Sequence, residues 1–216
     1  MAAENKREDA APYRVVLLGN GNMSCDGLDL LLSLPDVSVP LVVCDKSDCG
    51  RDSPQLLSDA STPFRRSLRK YARQLGFAEA AAANAQASSA ADHFQPVVIA
   101  GDPNGARVLA RVAAAKPHVV LSLQCRRLLR QPILSIASIA TLNVHNAPLP
   151  LLRGCDPFAW AIHDGLRQFG VTLHEVDLGC DSGDVHGQLL FPVREDDTAW
   201  SLYERSLPLA AQLIRR

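Results

Sequence analysis

The chain alternates short apolar runs with amphipathic segments, beginning in the order strand, helix, strand. Residues 13–18 (YRVVLL) form a β-branched run that ends at a glycine-rich turn, and residues 41–45 (LVVCD) form a second apolar run. Between them, residues 26–34 (DGLDLLLSL) have the composition of a helix, which Pro35 closes. Uninterrupted apolar strands joined by helices are typical of a doubly wound, mostly parallel sheet.

The same alternation continues in the second half of the chain. It predicts strands at 95–100, 118–123 and 140–145, and helices at 104–115, 157–165 and 198–216. Residues 171–176 and 185–192 alternate in polarity like paired, partly exposed strands. We therefore expect an α/β, Rossmann-like fold, in which a mostly parallel twisted sheet is flanked by helices and ends in an antiparallel strand pair.

The domain organisation follows from the segments that lack this pattern. Residues 1–12 are polar and predict a disordered leader, so that 13–216 form a single domain. An Ala-rich insert at 78–92 has no apolar stripe and is interpreted as an exposed linker. Before it, a basic helix from Pro63 has either a solvated cationic face or a patch for an anionic group. Because the last predicted helix runs to the final residue, a longer parent protein is also expected.

Composition narrows the class of protein. The 216 residues are 47% hydrophobic and carry 22 basic against 23 acidic side chains, which argues against a nucleic-acid-binding surface. No apolar run of about 18 residues predicts a membrane span, and no signal peptide precedes Tyr13. Six scattered cysteines predict reduced thiols rather than a metal site, although Cys44 and Cys49 could form a clip. We expect a cytoplasmic protein that binds neither nucleic acid nor membrane.

The turn after the first strand, GNGNMS, has two interpretations. A dinucleotide-binding turn needs a glycine at position 24, where the chain has Ser24. The glycines would equally allow a tight turn from strand to helix. Under the nucleotide hypothesis, Asp45 at the end of the second strand would bind the ribose.

Candidate chemistry is concentrated between Thr141 and Asp184. Asn143 and His145 lie two residues apart in a predicted strand, and alternation of side chains directs both to one face. An amide and a protonated imidazole can donate hydrogen bonds to a developing oxyanion. A nearby carboxylate would stabilise the imidazolium and move protons. Asp181 and Asp184, both in the turn CDSGD, are the candidates.

Four segments in this region, NVHNAPLPLLRG, PFAWAIHDG, FGVTLHEVD and CDSGDV, resemble the catalytic core of the 10-formyltetrahydrofolate-dependent formyltransferases. That family includes the glycinamide ribonucleotide, methionyl-tRNA and sugar N-formyltransferases. The resemblance is strong over residues 139–207. Residues 13–138 match the family only as a fold, with a weaker sequence similarity at CRRLL.

The resemblance implies roles for particular residues. Asn143 and His145 would bind the oxyanion, and the family spacing selects Asp181 over Asp184 as the proton-handling carboxylate. The cosubstrate 10-formyltetrahydrofolate would lie against two segments, comprising Arg127, Leu128 and Leu129, and Leu178, Gly179, Cys180 and Asp181. His174 and Asp177 would be structural or would touch the acceptor. Arg153 would face a substrate anion or solvent.

The resemblance also implies an enzyme that formylates a small-molecule amine. The acceptor would be an amino sugar, an amino acid or a hydroxylamine, and the chain would belong to a larger multidomain protein or a homodimer. Two alternatives stay open. One is a 10-formyltetrahydrofolate hydrolase, and the other is a non-catalytic Rossmann-type nucleotide-binding module.

Overall fold

The computed structural model describes residues 11–44 and 96–216. Its strands are β1 (Tyr13–Gly19), β2 (Val37–Cys44), β3 (Val97–Ala100), β4 (Val119–Leu123), β5 (Ala140–His145), β6 (Gln168–Glu175) and β7 (Val185–Pro192). Its helices are α1 (Gly21–Leu32), α2 (Ala106–Ala114), α3 (Gln131–Leu134), α4 (Pro157–His163) and α5 (Ala199–Ile214). The predictions for residues 1–10 of the leader, Asp45, Cys49, the basic helix from Pro63 and the Ala-rich insert lie outside the described residues.

The described strands form one sheet in the order β3-β2-β1-β4-β5-β6-β7. Strands β1 to β5 pair in parallel, whereas β6 runs antiparallel to both β5 and β7. The predicted Rossmann-like sheet with an antiparallel end is therefore confirmed. The carboxyl ends of β4 and β5 are adjacent, which is where open α/β sheets usually bind their ligands.

Two apolar layers cover the sheet. Leu17, Leu123 and Val144 point to the side where α1 and α5 pack, and Ala210 of α5 joins them. Alternate residues of the same strands, including Val16 and Val120, point to the side of α2 and α3. Continuous apolar strands are thus explained by burial on both faces.

Helix α1 begins at Gly21, five residues before the predicted start, because the glycine turn is very tight. Gly19 has a φ of +149°, and a Cβ there would lie 1.8 Å from the Leu123 carbonyl oxygen. The Ser24 hydroxyl donates a hydrogen bond to the same oxygen at 2.6 Å. Gly19 and Ser24 thus pack the turn against the end of β4.

The helices of the described residues are short or amphipathic. Within residues 11–44 and 96–216, no helix combines the length and the apolar character needed to cross a membrane. Helix α5 is instead amphipathic, and Leu202, Ala210 and Leu213 on its inner side are buried.

Candidate active site

Polar side chains meet at the ends of β5 and β6. Val144 is 2% exposed and packs into the α1/α5 layer, so its neighbours Asn143 and His145 point to the opposite face. The antiparallel register places His174 opposite Asn143 and Thr172 opposite His145. An amide and two imidazoles are thereby brought together from segments distant in sequence.

The orientation of Asn143 depends on His174. The Nδ1 atom of His174 lies 2.6 Å from the Glu175 carbonyl oxygen, and this nitrogen carries the hydrogen because a carbonyl only accepts. The Asn143 amide then donates to His174 Nε2 at 3.1 Å. Burial lowers the pKa of His174, which favours the neutral ring that this bond requires. Asn143 keeps a second amide hydrogen for another acceptor.

The two ring nitrogens of His145 both lie near oxygen atoms. Its Nε2 atom lies 2.9 Å from the Leu152 carbonyl oxygen, and its Nδ1 atom lies 3.6 Å from Oδ2 of Asp181. Both ring nitrogens therefore face oxygens that accept hydrogen bonds. An imidazolium, with a hydrogen on each nitrogen, matches this arrangement.

Asp181 lies between the two imidazoles. Its Oδ2 atom accepts a hydrogen bond from the Gly154 amide at 2.8 Å, and its Oδ1 atom lies 3.6 Å from His174 Nε2. Asp181 itself adopts a left-handed conformation with a φ of 49°. The exposed Asp184 instead uses its carbonyl oxygen to pair with the Glu175 amide at 2.9 Å. Of the two candidate carboxylates, the structure places Asp181 beside His145.

The loop after β5 is fixed by polar residues of β6 and β7. The Thr172 hydroxyl donates to the Ala147 carbonyl at 2.7 Å and accepts from the Leu149 amide at 3.2 Å. Gln188 donates to both the Leu149 carbonyl and Thr172 Oγ1 at 2.9 Å. These bonds hold the segment that presents the Leu152 carbonyl to His145. No motif in the sequence gives Thr172 or Gln188 a role, although the alternation of the two strands marks both as candidates for a polar face.

A cavity of about 500 Å³ contains these groups. We call Asn143, His145, His174 and Asp181 the polar centre, and Arg127–Leu129 with Gly179–Cys180 the outer wall. All members of both sets line the cavity. Leu178, which was predicted to bind the cosubstrate, does not line it, and its side chain is 66% exposed.

The outer wall is held through its main chain. Asn104 donates to the Leu128 carbonyl at 3.0 Å and accepts from the Arg130 amide at 2.8 Å. Across the cavity, the Asp177 carboxylate accepts from the Gly179 amide at 3.0 Å. Asp177 therefore shapes the turn before Asp181. No motif in the sequence marks Asn104, which lies in the loop before α2 and far from the motif region.

Two exposed side chains complete the outer wall. Arg127 forms a partly exposed ion pair with Asp102 at 3.5 Å. The Cys180 thiol lies 3.7 Å from Oδ2 of Asp181, and burial, reinforced by that carboxylate, raises the thiol pKa. Cys180 is thus held as the neutral thiol. Cys155 is also a free cysteine.

The fold and the site together define a Rossmann-like α/β protein with donors and a carboxylate at the carboxyl end of its sheet. The model of the formyl transferase family matches residues 14–216, and the chain belongs to that family. One curated relative is the bifunctional polymyxin resistance protein ArnA of Wigglesworthia glossinidia brevipalpis, which is 32% identical over 113 residues. This alignment covers 52% of the chain and 17% of that relative.

Solved structures agree on the fold. Glycinamide ribonucleotide transformylase 1 from Symbiobacterium toebii superposes with a TM-score of 0.68 at 21% identity, covering 99% of this chain and 89% of that one. A sugar N-formyltransferase from a Shewanella species gives a TM-score of 0.63 at 14% identity, covering 94% and 67%. Both share the architecture into which the motif region folds.

Proposed function

We propose that the protein transfers a formyl group from 10-formyltetrahydrofolate to the primary amine, or hydroxylamine, of a small-molecule acceptor such as an amino sugar or an amino acid. Membership of the formyl transferase family supports this reaction class. The observation that carries the proposal is the polar centre, where His145 lies 3.6 Å from Asp181 and shares a strand face with Asn143. All three line one cavity.

These residues provide what formyl transfer requires. As the amine nitrogen bonds to the formyl carbon, the carbonyl electron pair moves onto the formyl oxygen. The second amide hydrogen of Asn143 donates to that oxyanion, and one such donor is worth about 3 kcal/mol. The positive charge of the His145 imidazolium stabilises the oxyanion electrostatically. When the oxyanion collapses, the bond to the folate nitrogen breaks and its electron pair stays on that nitrogen.

Asp181 transfers the proton that the attacking amine loses and the folate nitrogen gains. The attacking amine becomes cationic and must lose a hydrogen, whereas the departing folate nitrogen must gain one. The Asp181 carboxylate accepts the hydrogen from the amine through water and returns it to the folate nitrogen. Because Asp181 also faces His145, its negative charge stabilises the imidazolium during the reaction.

The outer wall suits the proposed cosubstrate. Leu129 is buried and Val176 is half-buried, which gives that end of the cavity an apolar surface. The neighbouring main chain at Leu128 and Gly179 is held by Asn104 and Asp177. An apolar surface bordered by fixed main-chain groups fits a flat heterocycle whose edge carries donors and acceptors. A cytoplasmic location and a larger parent protein or homodimer stay predictions.

The test is release of tetrahydrofolate from 10-formyltetrahydrofolate, followed with and without a panel of amino sugars, amino acids and hydroxylamines. We expect release that depends on an amine, and formation of its formamide by mass spectrometry. Release without any amine would instead identify a hydrolase. No release with a broad panel would favour the nucleotide-binding module.

A matched pair of variants tests the polar centre in the same assay. His145→Ala should lower turnover by about a hundredfold or more, because it removes the positive charge that stabilises the oxyanion. His163→Ala, at an exposed position on α4, should leave turnover nearly unchanged. If the two variants were equally active, the assignment of His145 would be wrong.

A further inference from the structure

Two cysteines lie on the wall of the cavity that contains the polar centre. Cys155 precedes α4, and Cys180 belongs to the turn between β6 and β7. Both line the cavity, and both are exposed free thiols. The formyl transfer proposed above requires neither thiol, so the two can have a separate role. We call Cys155 and Cys180 the thiol pair.

A hydrogen bond between their chain neighbours brings the two cysteines together. The Gly154 amide donates to Oδ2 of Asp181 at 2.8 Å. Cys155 directly follows Gly154, and Cys180 directly precedes Asp181. The Cys180 sulfur lies 3.9 Å from the position that a Cβ on Gly154 would take. Cys180 therefore already packs against the residue next to Cys155.

The pKa of the Cys180 thiol also reflects the proximity of the pair. Burial is the main cause that raises this pKa, the Asp181 carboxylate adds to it, and Cys155 makes a further contribution. Because interactions between charges weaken with distance, Cys155 can contribute only if its sulfur is near that of Cys180. The two thiols therefore face the same part of the cavity.

Both members of the thiol pair lie outside the helices and strands. Cys155 is in the segment between β5 and α4, and Cys180 is in the segment between β6 and β7. A disulfide needs Cβ atoms about 3.8 Å apart and a C–S–S–C dihedral angle of about 90°. Residues in such connecting segments can change their torsion angles to reach this geometry without breaking the hydrogen bonds of a helix or a sheet.

We propose that Cys155 and Cys180 form a reversible disulfide when a peroxide oxidises the protein, and that this bond closes the cavity beside Asp181. The thiol pair is thereby a redox-modification site that switches the enzyme off. Its effect on activity rests on the formyl transfer proposed above, whereas formation of the bond does not. Because the two cysteines are exposed, reducing thiols can reach the disulfide and reverse the change.

The oxidation proceeds in two balanced steps. In the first, the Cys155 thiolate attacks one oxygen of hydrogen peroxide and the O–O bond breaks. The released hydroxide takes up a proton to become water, and Cys155 is left as a sulfenic acid. In the second, the Cys180 sulfur attacks the Cys155 sulfur, the S–O bond breaks, and a second water leaves. The peroxide gains two electrons, and the two sulfurs together lose two.

The surroundings of the thiol pair determine the order of these steps. The thiolate is the form that attacks peroxide, and burial beside Asp181 disfavours that form at Cys180. Cys155 therefore reacts first. The Cys180 sulfur lies 3.7 Å from Oδ2 of Asp181. This carboxylate can accept the thiol proton as Cys180 attacks and pass it to the departing hydroxide.

The disulfide would act on the reaction through Asp181. It would join the residue after Gly154 to the residue before Asp181, alongside the hydrogen bond between those two. The sulfur atoms would then fill the space beside the carboxylate that must receive a proton from the acceptor amine. The amine would lose access to Asp181, although no residue of the polar centre is itself modified.

The experiment maps the disulfide directly. Trypsin cleaves after arginine, which places the two cysteines in separate peptides, 154–167 and 168–194, with one cysteine each. The full chain is treated with hydrogen peroxide in the presence of a chelator, remaining thiols are blocked, and the peptides are analysed by mass spectrometry. We expect the two peptides to be cross-linked, two hydrogens lighter than their sum, and to be separated by dithiothreitol.

Activity is followed in the same samples by tetrahydrofolate release. We expect the rate to fall in proportion to the cross-linked fraction and to recover with dithiothreitol. Cys155→Ser should keep the rate of the reduced protein within about twofold, form no cross-link and resist the same dose of peroxide. Cys125→Ser, the same change at another cysteine of this cavity, should still form the cross-link and be inactivated by peroxide.

The outcomes separate this proposal from the proposed function. Absence of the cross-link, a cross-link to a different cysteine, or equal inactivation of Cys155→Ser would overturn the thiol pair as a switch. A complete cross-link with an unchanged rate of release would overturn the closing of the cavity. If the reduced protein released no tetrahydrofolate with any amine but formed the cross-link, the proposed function would fail and the redox-modification site would stand.

Discussion

The polar centre and the outer wall line the same cavity but are held in opposite ways. In the polar centre the side chains themselves are fixed, since Asn143 bonds to His174 at 3.1 Å and Asp181 bonds to the Gly154 amide at 2.8 Å. In the outer wall the main chain is fixed by Asn104, while Leu128 is 61% exposed. Buried polar side chains need defined partners, whereas exposed ones do not.

This difference indicates where side-chain identity should matter. At the polar centre a substitution removes a charge or a donor from the reaction itself. At the outer wall a side chain can change while the main-chain groups stay in place. We therefore expect substitutions in the polar centre to lower kcat, and substitutions that loosen the main chain of the outer wall to raise KM for the folate.

The two histidines of the polar centre also differ, in the partners of their ring nitrogens. His174 donates from Nδ1 to a carbonyl and accepts at Nε2, which requires a neutral ring. His145 faces the Leu152 carbonyl and the Asp181 carboxylate, which suits a charged ring. His174 thus orients the Asn143 amide, whereas His145 can carry the positive charge that stabilises an oxyanion.

The largest effect is expected for Asp181→Asn. Asparagine tolerates the left-handed conformation at this position, so the turn should survive while the negative charge is lost. Removal of the proton acceptor should lower kcat by about a hundredfold or more. Asp184→Asn, the same change at an exposed position three residues later, serves as control in the tetrahydrofolate-release assay. Similar rates for the two variants would remove Asp181 from the mechanism.

A smaller effect is expected for His174→Ala, because His174 acts through Asn143. Loss of the acceptor leaves the Asn143 amide free to turn, and kcat should fall about tenfold. In a double-mutant cycle, adding His174→Ala to Asn143→Ala should cost little more than Asn143→Ala alone. Effects that simply multiply would show that His174 does not work by orienting Asn143.

The outer wall should respond most strongly to Asn104→Ala. This change removes both side-chain bonds that hold the Leu128 carbonyl and the Arg130 amide. We expect KM for 10-formyltetrahydrofolate to rise about fivefold with kcat nearly constant. Arg127→Ala should change KM by no more than about twofold, since its ion pair with Asp102 is partly exposed. A larger effect from Arg127→Ala would mean that its side chain contacts the folate.

The smallest effect is expected for Leu178→Ala. The side chain is 66% exposed and does not line the cavity. KM and kcat should stay within about twofold, and the free energy of unfolding within about 0.5 kcal/mol. A marked rise in KM for the folate would restore Leu178 to the cosubstrate site and weaken the distinction between side-chain and main-chain control.

Much of the fold could be predicted because the evidence for it is local. Apolar runs such as 13–18 and 41–44 contain the β-branched residues that buried strands favour, and each lies within or overlaps an observed strand, although β2 begins four residues earlier than predicted, at Val37. The shared face of Asn143 and His145 likewise follows from the two-residue repeat of a strand. The early start of α1 could not be predicted, because it depends on the contact between Gly19 and the Leu123 carbonyl.

The sequence by itself therefore determined the class of fold, the family resemblance and the strand that carries Asn143 and His145. Only the tertiary structure decided that His174 orients Asn143 and that Thr172 and Gln188 hold the loop facing His145. The physical reason is that strand register and loop closure join residues far apart in the chain. Asn143 and His174 are 31 positions apart, and their contact exists only once β5 and β6 have paired.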